Sequence, residues 1–193
     1  STRKESSAAS DVYKRQEKLF ERGIKHVRIN MASFHVISES ICEEYMSYIN
    51  EYNINPDNIV FELFINEDIP EDVLAKGISY LRKRGLHVCW DQFGTNACDL
   101  KNFMEMPFDC VKINNMVVSM YCNEKSTQLI YIIRMFRERG WIVCLDGVRY
   151  PDGFEMVKKM DVDYIQGREL MKFVPEDKIR EFLLKKGGIL GDI

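Results

Sequence analysis

The chain has no apolar run approaching the roughly 20 residues that a membrane-spanning helix needs, and no signal-peptide core opens it. Neither sign of charge prevails. Twenty-seven basic residues face 30 acidic ones, a net charge of −3, which excludes the basic footprint of a nucleic-acid binder. Histidine is scarce, with three in 193 residues, and none of the six cysteines forms a C-x-x-C pair, so no zinc-site spacing is present. Cys89, Cys110 and Cys144 fall inside apolar runs, where reduced core thiols of a cytoplasmic protein are expected. No low-complexity linker divides the chain. Residues 1–16, STRKESSAASDVYKRQ, are polar, Ser-rich and aperiodic and read as a disordered tail or scar. That leaves 17–193 as one domain, long enough to bury a sizeable core.

What is present is a repeated unit. Six short apolar runs each end in a polar residue, and a helical stretch follows: Asn30 (HVRIN), Glu62 (IVFEL), Asp91 with Gln92 (HVCWDQ), Lys112 (CVKIN), Asp146 (WIVCLDG) and Gln166 (DYIQG). Continuous apolar runs of this length suit buried parallel strands, and the spacing of about 21 to 33 residues suits βα units. Helical stripes are predicted at Ile41, Tyr45, Ile49 and Tyr52, with Ser40 and Glu43 as a capping box. Others run from Pro70 to Gly85 through Leu74, Ile78 and Leu81, and through Leu129, Ile132, Ile133 and Phe136 to Gly140. A last helix is predicted from near Pro175, with Ile179, Phe182 and Leu183 inward. The histidines read as structural or solvated, with His26 and His87 opening strands and His35 in a loop. The methionines at 104, 106, 116 and 120 read as core and loop filling, and Arg82 to Arg84 as a solvated helix end. Six units admit either an open doubly wound sheet or a barrel that has lost its first two strands. In both, ligands bind beyond the carboxyl ends of the strands, so the six polar ends form the candidate site. Carboxylates, amides and one lysine suit oxygen-coordinated divalent metals and a phosphate ligand.

Six motifs in order carry a family resemblance: RINMASFHV (28–36), FELFINE (61–67), WDQFGTNACDL (90–100), FDCVKIN (108–114), VCLDGVR (143–149) and VDYIQG (162–167). Together they resemble the EAL-domain family, the phosphodiesterases and receptors of cyclic di-GMP. The resemblance runs from about Val27 to Pro175 and covers the C-terminal three quarters of the family's domain. It implies an α/β, TIM-like (β/α) barrel of EAL type, incomplete, with about six βα units present and the first two missing. By the same resemblance Asn30, Glu62, Asp91 and Asp146 stand at metal-ligand positions for Mg2+ or Mn2+, and Lys112 at that of the catalytic, water-positioning lysine. Gln166 matches a glutamine near the metals.

The resemblance also marks departures. Gln92 and Asn114 replace aspartates, Ile65 replaces the second glutamate of E-L-x-E, and Asp146 is one methylene shorter than the family's glutamate. Arg149 replaces a glutamate close to the site, which disfavours metals and favours a phosphate. The name-giving E-A-L strand and its following arginine have no counterpart in the sequence. The expectation is therefore a degenerate domain of bacterial cyclic di-GMP signalling, acting as a regulatory, ligand-binding or protein-interaction module. Arg149, Lys112 and Arg168 would then neutralise a phosphate directly, with metal present or absent altogether. Two alternatives stand beside it: an active metal-dependent phosphodiesterase producing linear pGpG, represented here by a truncated fragment, and an enzyme of another βα class using the same strand ends. Family likeness further implies a homodimer through residues 95–135 or a partner protein, an upstream GGDEF or sensory domain, and no nucleic-acid or membrane partner. A barrel short of two strands is expected to expose unpaired edges and to oligomerise or aggregate.

Overall fold

The computed structural model describes residues 24, 26–65, 69–95, 104–149, 152–167, 175, 178 and 181. Six strands, β1 (Val27–Ala32), β2 (Ile59–Phe64), β3 (His87–Phe93), β4 (Cys110–Ile113), β5 (Ile142–Leu145) and β6 (Tyr164–Ile165), form one all-parallel sheet in the order β1-β2-β3-β4-β5-β6. A doubly wound sheet reverses its strand order at a switch point. This order never reverses, so the open-sheet alternative is removed. The arc curls enough for the Arg28 guanidinium on β1 to lie 5.1 Å from the ring centre of Tyr164 on β6. Among the described residues β1 and β6 do not hydrogen-bond to each other.

The connecting segments carry helices α1 (Ser33–Val36), α2 (Glu39–Glu51), α3 (Glu71–Arg82), α4 (Asn115–Glu124), α5 (Gln128–Glu138) and α6 (Asp152–Val157). Side chains alternate along each strand. One set (Ile59, Phe61 and Leu63; Val88 and Trp90; Val111 and Ile113; Val143 and Leu145) joins Leu74, Ile78, Leu81, Leu129, Ile133 and Phe136 from the helices in the main core. The opposite set faces the lumen, where Val60, Cys89 and Cys110 form a separate small cluster. The main core centres on rings: Phe136, wholly buried, packs 4.9 Å from Phe93, 5.3 Å from Trp141 and 6.3 Å from Trp90, centre to centre. Phe136→Ala is expected to lower stability by about 3–5 kcal/mol in urea unfolding, because the rigid surrounding rings cannot collapse onto the void.

Several local expectations are corrected. Helix α2 begins after Ser38, not Ser40, and no side chain caps it. The Ser38 hydroxyl meets that of Ser40 at 3.1 Å, and Glu43 reaches across to Arg84 at 2.7 Å, so neither serves a capping box. The buried stripe of α2 is Cys42, Met46 and Ile49, with Tyr45 partly buried beside it. His35 lies in helix α1, which had no signal of its own, and its Nδ1 meets the Tyr45 hydroxyl at 2.8 Å. Arg82 and Arg84 bond to Asp109 and Glu43 across elements, so that helix end is stitched down and not merely solvated. Met104 and Met106 are core, whereas Met116 and Met120 stand exposed on α4. Of the helix expected from near Pro175, the inward residues Ile179, Phe182 and Leu183 lie outside the described residues.

His87, at the end of β3 away from the strand ends of interest, bonds Asp57 at 2.9 Å and faces Asp109 at 3.8 Å. The bond to Asp109, backed by Asp57, outweighs partial burial and raises its pKa above the ordinary histidine value. A raised folded pKa stabilises while the ring is charged, fully below the unfolded value of about 6.5, and the gain fades as pH rises through the folded value. His87→Gln should therefore lower the melting temperature more at pH 5.5 than at pH 8.5, and equal shifts at both would contradict the pairing.

Candidate functional site

The alternation that buries one face sends Arg28 and Asn30 of β1, Glu62 and Phe64 of β2, Cys89 and Asp91 of β3, Cys110 and Lys112 of β4, Cys144 of β5 and Tyr164 of β6 to the lumen. Register then sets neighbours: Asn30 lies beside Glu62, Phe64 beside Asp91, and Lys112 beside Cys144. Asp146 and Gln166 follow the ends of β5 and β6, where the Asp146 amide donates to the Ile113 carbonyl at 2.9 Å and the Gln166 amide to that of Leu145 at 2.8 Å. Gly147 makes the turn after Asp146 at φ +68°, and a Cβ there would meet Asn115 at 2.3 Å. The polar strand ends read from the sequence thus lie side by side along one rim.

At the centre is a buried chain of charge. Lys112 Nζ donates to Glu62 Oε2 at 2.8 Å and lies 3.6 Å from Asp91 Oδ1. Arg28 donates to the other Glu62 oxygen, Oε1, at 3.2 Å. Glu62, Asp91 and Lys112 are 5%, 8% and 7% exposed, so water screens these pairs weakly. Burial works to discharge Lys112, but the bond to Glu62 and the charges of Asp91 and Asp146 outweigh it, and its pKa stands above the ordinary lysine value. For Asp91, burial together with Glu62 and Asp146 overcomes the attraction of Lys112, and its pKa is raised. Beneath them the Cys144 thiol is pushed up to about 12, chiefly by burial, and Cys89 is raised for the same reason. These thiols are protonated at neutral pH.

The segment after Asp91 breaks the strand. Register shifts between Trp90 and Phe93, as a β-bulge does when it re-aims a side chain. Gln92 sits at φ +61°, its amide donates to Asp91 Oδ1 at 2.8 Å, and its carbonyl accepts from the Thr95 hydroxyl at 2.8 Å. Asn114 Nδ2 donates to Gln92 Oε1 at 2.5 Å, while Asn114 Oδ1 accepts from the Met116 amide at 2.8 Å and so caps α4. The Asn114 amide is therefore engaged at both ends, by Gln92 and by the helix start. Ile65 turns to the apolar core.

Asn30, Arg149 and Gln166 are exposed and Asp146 is half-buried. The loops of Arg149 and Gln166 meet where the Val148 amide donates to the Gln166 carbonyl at 3.0 Å. Arg168 lies outside the described residues. Arg28 and the aromatic rim residue Phe64 carried no signal as strand ends, though Arg28 stands two residues before Asn30 and a period of two puts both on one face. For a metal, the available donors are the Asn30 amide and three carboxylates, with both Glu62 oxygens already engaged by cations. Among the described residues no three histidine, cysteine, aspartate or glutamate side chains converge as a metal-holding group. None of the described helices is long and apolar enough to cross a membrane.

Comparison with known proteins agrees with this geometry. The chain is 28% identical over 153 residues to the probable cyclic di-GMP phosphodiesterase PdeB of Escherichia coli strain K12, covering 79% of this chain and 29% of that protein. It is 23% identical over 159 residues to the oxygen sensor protein DosP of the same organism, covering 81% and 20%. It thus spans under a third of these relatives' length. Among solved structures, the EAL-domain protein from Listeria monocytogenes EGD-e superposes with a TM-score of 0.78 at 20% identity, covering 98% of this chain and 75% of that one. The PaMucR phosphodiesterase in complex with c-di-GMP gives 0.80 at 13% identity, covering 92% and 74%. These likenesses fix the fold as the EAL-type, TIM-like α/β arrangement. The EAL-domain profile itself matches residues 6–172, and the chain belongs to the EAL-domain family.

Proposed function

We propose that this chain is a non-catalytic EAL domain of bacterial cyclic di-GMP signalling that binds the dinucleotide, or a partner protein, without hydrolysing it. The observation that carries the reading is the 2.5 Å bond between the side chains of Gln92 and Asn114, the two residues that replace family aspartates. Two carboxylates are gone, the one at Gln92 from a position that contacts metal in the family, and Gln92 Oε1 and Asn114 Nδ2 are spent on each other. Ligand binding is supported by what remains at the rim: Asn30, Gln166 and Arg149 exposed to accept a phosphodiester, and Phe34 and Phe64 exposed at the ends of neighbouring units for a base to stack on. In this reading residues 17–193 form the domain, residues 1–16 a tail, and Arg168 joins Arg149 at the phosphate. Cytoplasmic placement is supported by five free thiols among the described cysteines.

Calorimetric titration of cyclic di-GMP, with magnesium and again with EDTA, tests this. Binding is expected in both buffers, and Arg149→Glu should weaken it by roughly tenfold or more. Binding that vanishes with EDTA would favour the second reading, an active Mg2+- or Mn2+-dependent phosphodiesterase using Asn30, Glu62, Asp91, Asp146 and Lys112. What favours that reading is the retained Lys112–Glu62–Asp91 constellation. Self-association through residues 95–135 is supported by Met116 and Tyr131, 59% and 68% exposed on the adjoining helices α4 and α5. Upstream GGDEF or sensory domains would supply the input to be relayed.

A further inference from the structure

We propose that Arg28 holds the electrostatic place of a divalent cation at Glu62, and that the lumen of this chain thereby excludes metal. The inference rests on the reading of Glu62 as a family metal-ligand position. Three observations carry it. Arg28 enters the lumen from β1 one pleat below Asn30 and donates to Glu62 Oε1 at 3.2 Å. Its guanidinium is anchored at its other contacts, 3.8 Å from Cys89 Sγ and 5.1 Å above the Tyr164 ring, so it spans from β1 past β3 to β6. Lys112 holds the remaining Glu62 oxygen at 2.8 Å.

Glu62, Asp91 and Asp146 carry three negative charges, and Arg28 and Lys112 return two, leaving one for any ion that enters. A divalent ion at Glu62 would have to displace a partly buried guanidinium and then share a poorly solvated site with it. Repulsion is strongest there, and the displaced guanidinium has no second carboxylate on the lumen face of β1. A guanidinium also presents fixed, planar donors, whereas a metal ion would need the carboxylate's lone pairs free. Arg28 and Lys112 thus satisfy both Glu62 oxygens without an ion. A phosphate arriving at the rim meets the exposed Arg149 instead.

The test is Mn2+ titration of the nucleotide-free protein, followed by the loss of the free-ion paramagnetic resonance signal and by calorimetry. Wild type should show no binding tighter than about 1 mM, and Arg28→Met should bind at least roughly tenfold more tightly. Methionine keeps apolar contact with Tyr164, and Arg28→Gln serves as a second variant if the first fails to fold. Adding Glu62→Gln to either should abolish the gained affinity. Micromolar Mn2+ binding by wild type, no gain in the folded Arg28 variants, or a gain that survives Glu62→Gln would each overturn the proposal. The outcome is separable from the receptor reading: failure of cyclic di-GMP to bind sinks that reading and leaves the Mn2+ result untouched.

Discussion

Replacing Lys112 by methionine is expected to cost about 3–5 kcal/mol of folding stability at neutral pH, a large share of the 5–15 kcal/mol typical of a domain. The reason is what the ammonium leaves behind. Asp91 and one oxygen of Glu62 would stay in a lumen where their side chains are 10% and 5% exposed, with Arg28 facing only the far oxygen. Protonation is the escape route. An unpaired buried carboxylate titrates above its unfolded value, so the deficit is full above that folded pKa and shrinks as the pH falls through it. Glu62→Gln in the same chain should recover part of the loss at neutral pH, because it removes one of the two stranded charges. Urea unfolding at pH 7.5 and pH 5 of the single and double variants checks this. A single variant as stable as wild type at both pH values would mean that the pairs are solvated and the lumen is wet.

A second large effect is expected from restoring carboxylates at the amide pair. Gln92→Asp with Asn114→Asp puts two anions where the present side chains hydrogen-bond, next to the Asp91 carboxylate that already bonds the Gln92 amide. Carboxylates sharing a site push one pKa up by roughly 3 units, and at about 1.4 kcal/mol per unit the cost is on the order of 4 kcal/mol at pH 8. Asp still caps α4, so the helix start should survive. A divalent ion that finds this site would repay the loss in proportion to its concentration. At about 100 times its dissociation constant, magnesium would return roughly 2.7 kcal/mol. The double variant should thus be destabilised in EDTA and substantially recovered in magnesium, while the wild-type melting temperature ignores both. A wild type that magnesium stabilises by the same margin would contradict the account.

Much of the fold was legible in the sequence because buried parallel strands write themselves as apolar runs: Ile59 to Phe64 and Cys110 to Ile113 needed no periodicity. Helix α3 was legible from Pro70, its stripe and Gly85, which turns at φ +84°. What failed was where a pattern had a local competitor. Ser40 and Glu43 had the spacing of a capping box, but Tyr80 of α3 and Arg84 just beyond it claim Glu43, a tertiary contact no local rule foresees. Met116 and Met120 read as filling because methionine is usually buried, yet one face of α4 has no neighbour among the described residues to cover it. In the site, the strand-end rule picked out Asn30, Glu62, Asp91, Lys112, Asp146 and Gln166, and it passed over Arg28. An arginine inside a strand reads as an interruption, and its meaning came only from the Glu62 and Tyr164 it meets across the lumen.

The most direct test of the central claim is incubation of the folded chain with cyclic di-GMP in magnesium and in manganese, with linear pGpG and GMP separated by chromatography. The account predicts that dinucleotide is recovered intact in both, even where calorimetry shows it bound. Metal-dependent release of linear dinucleotide, abolished by Lys112→Met in a variant that still folds, would contradict it.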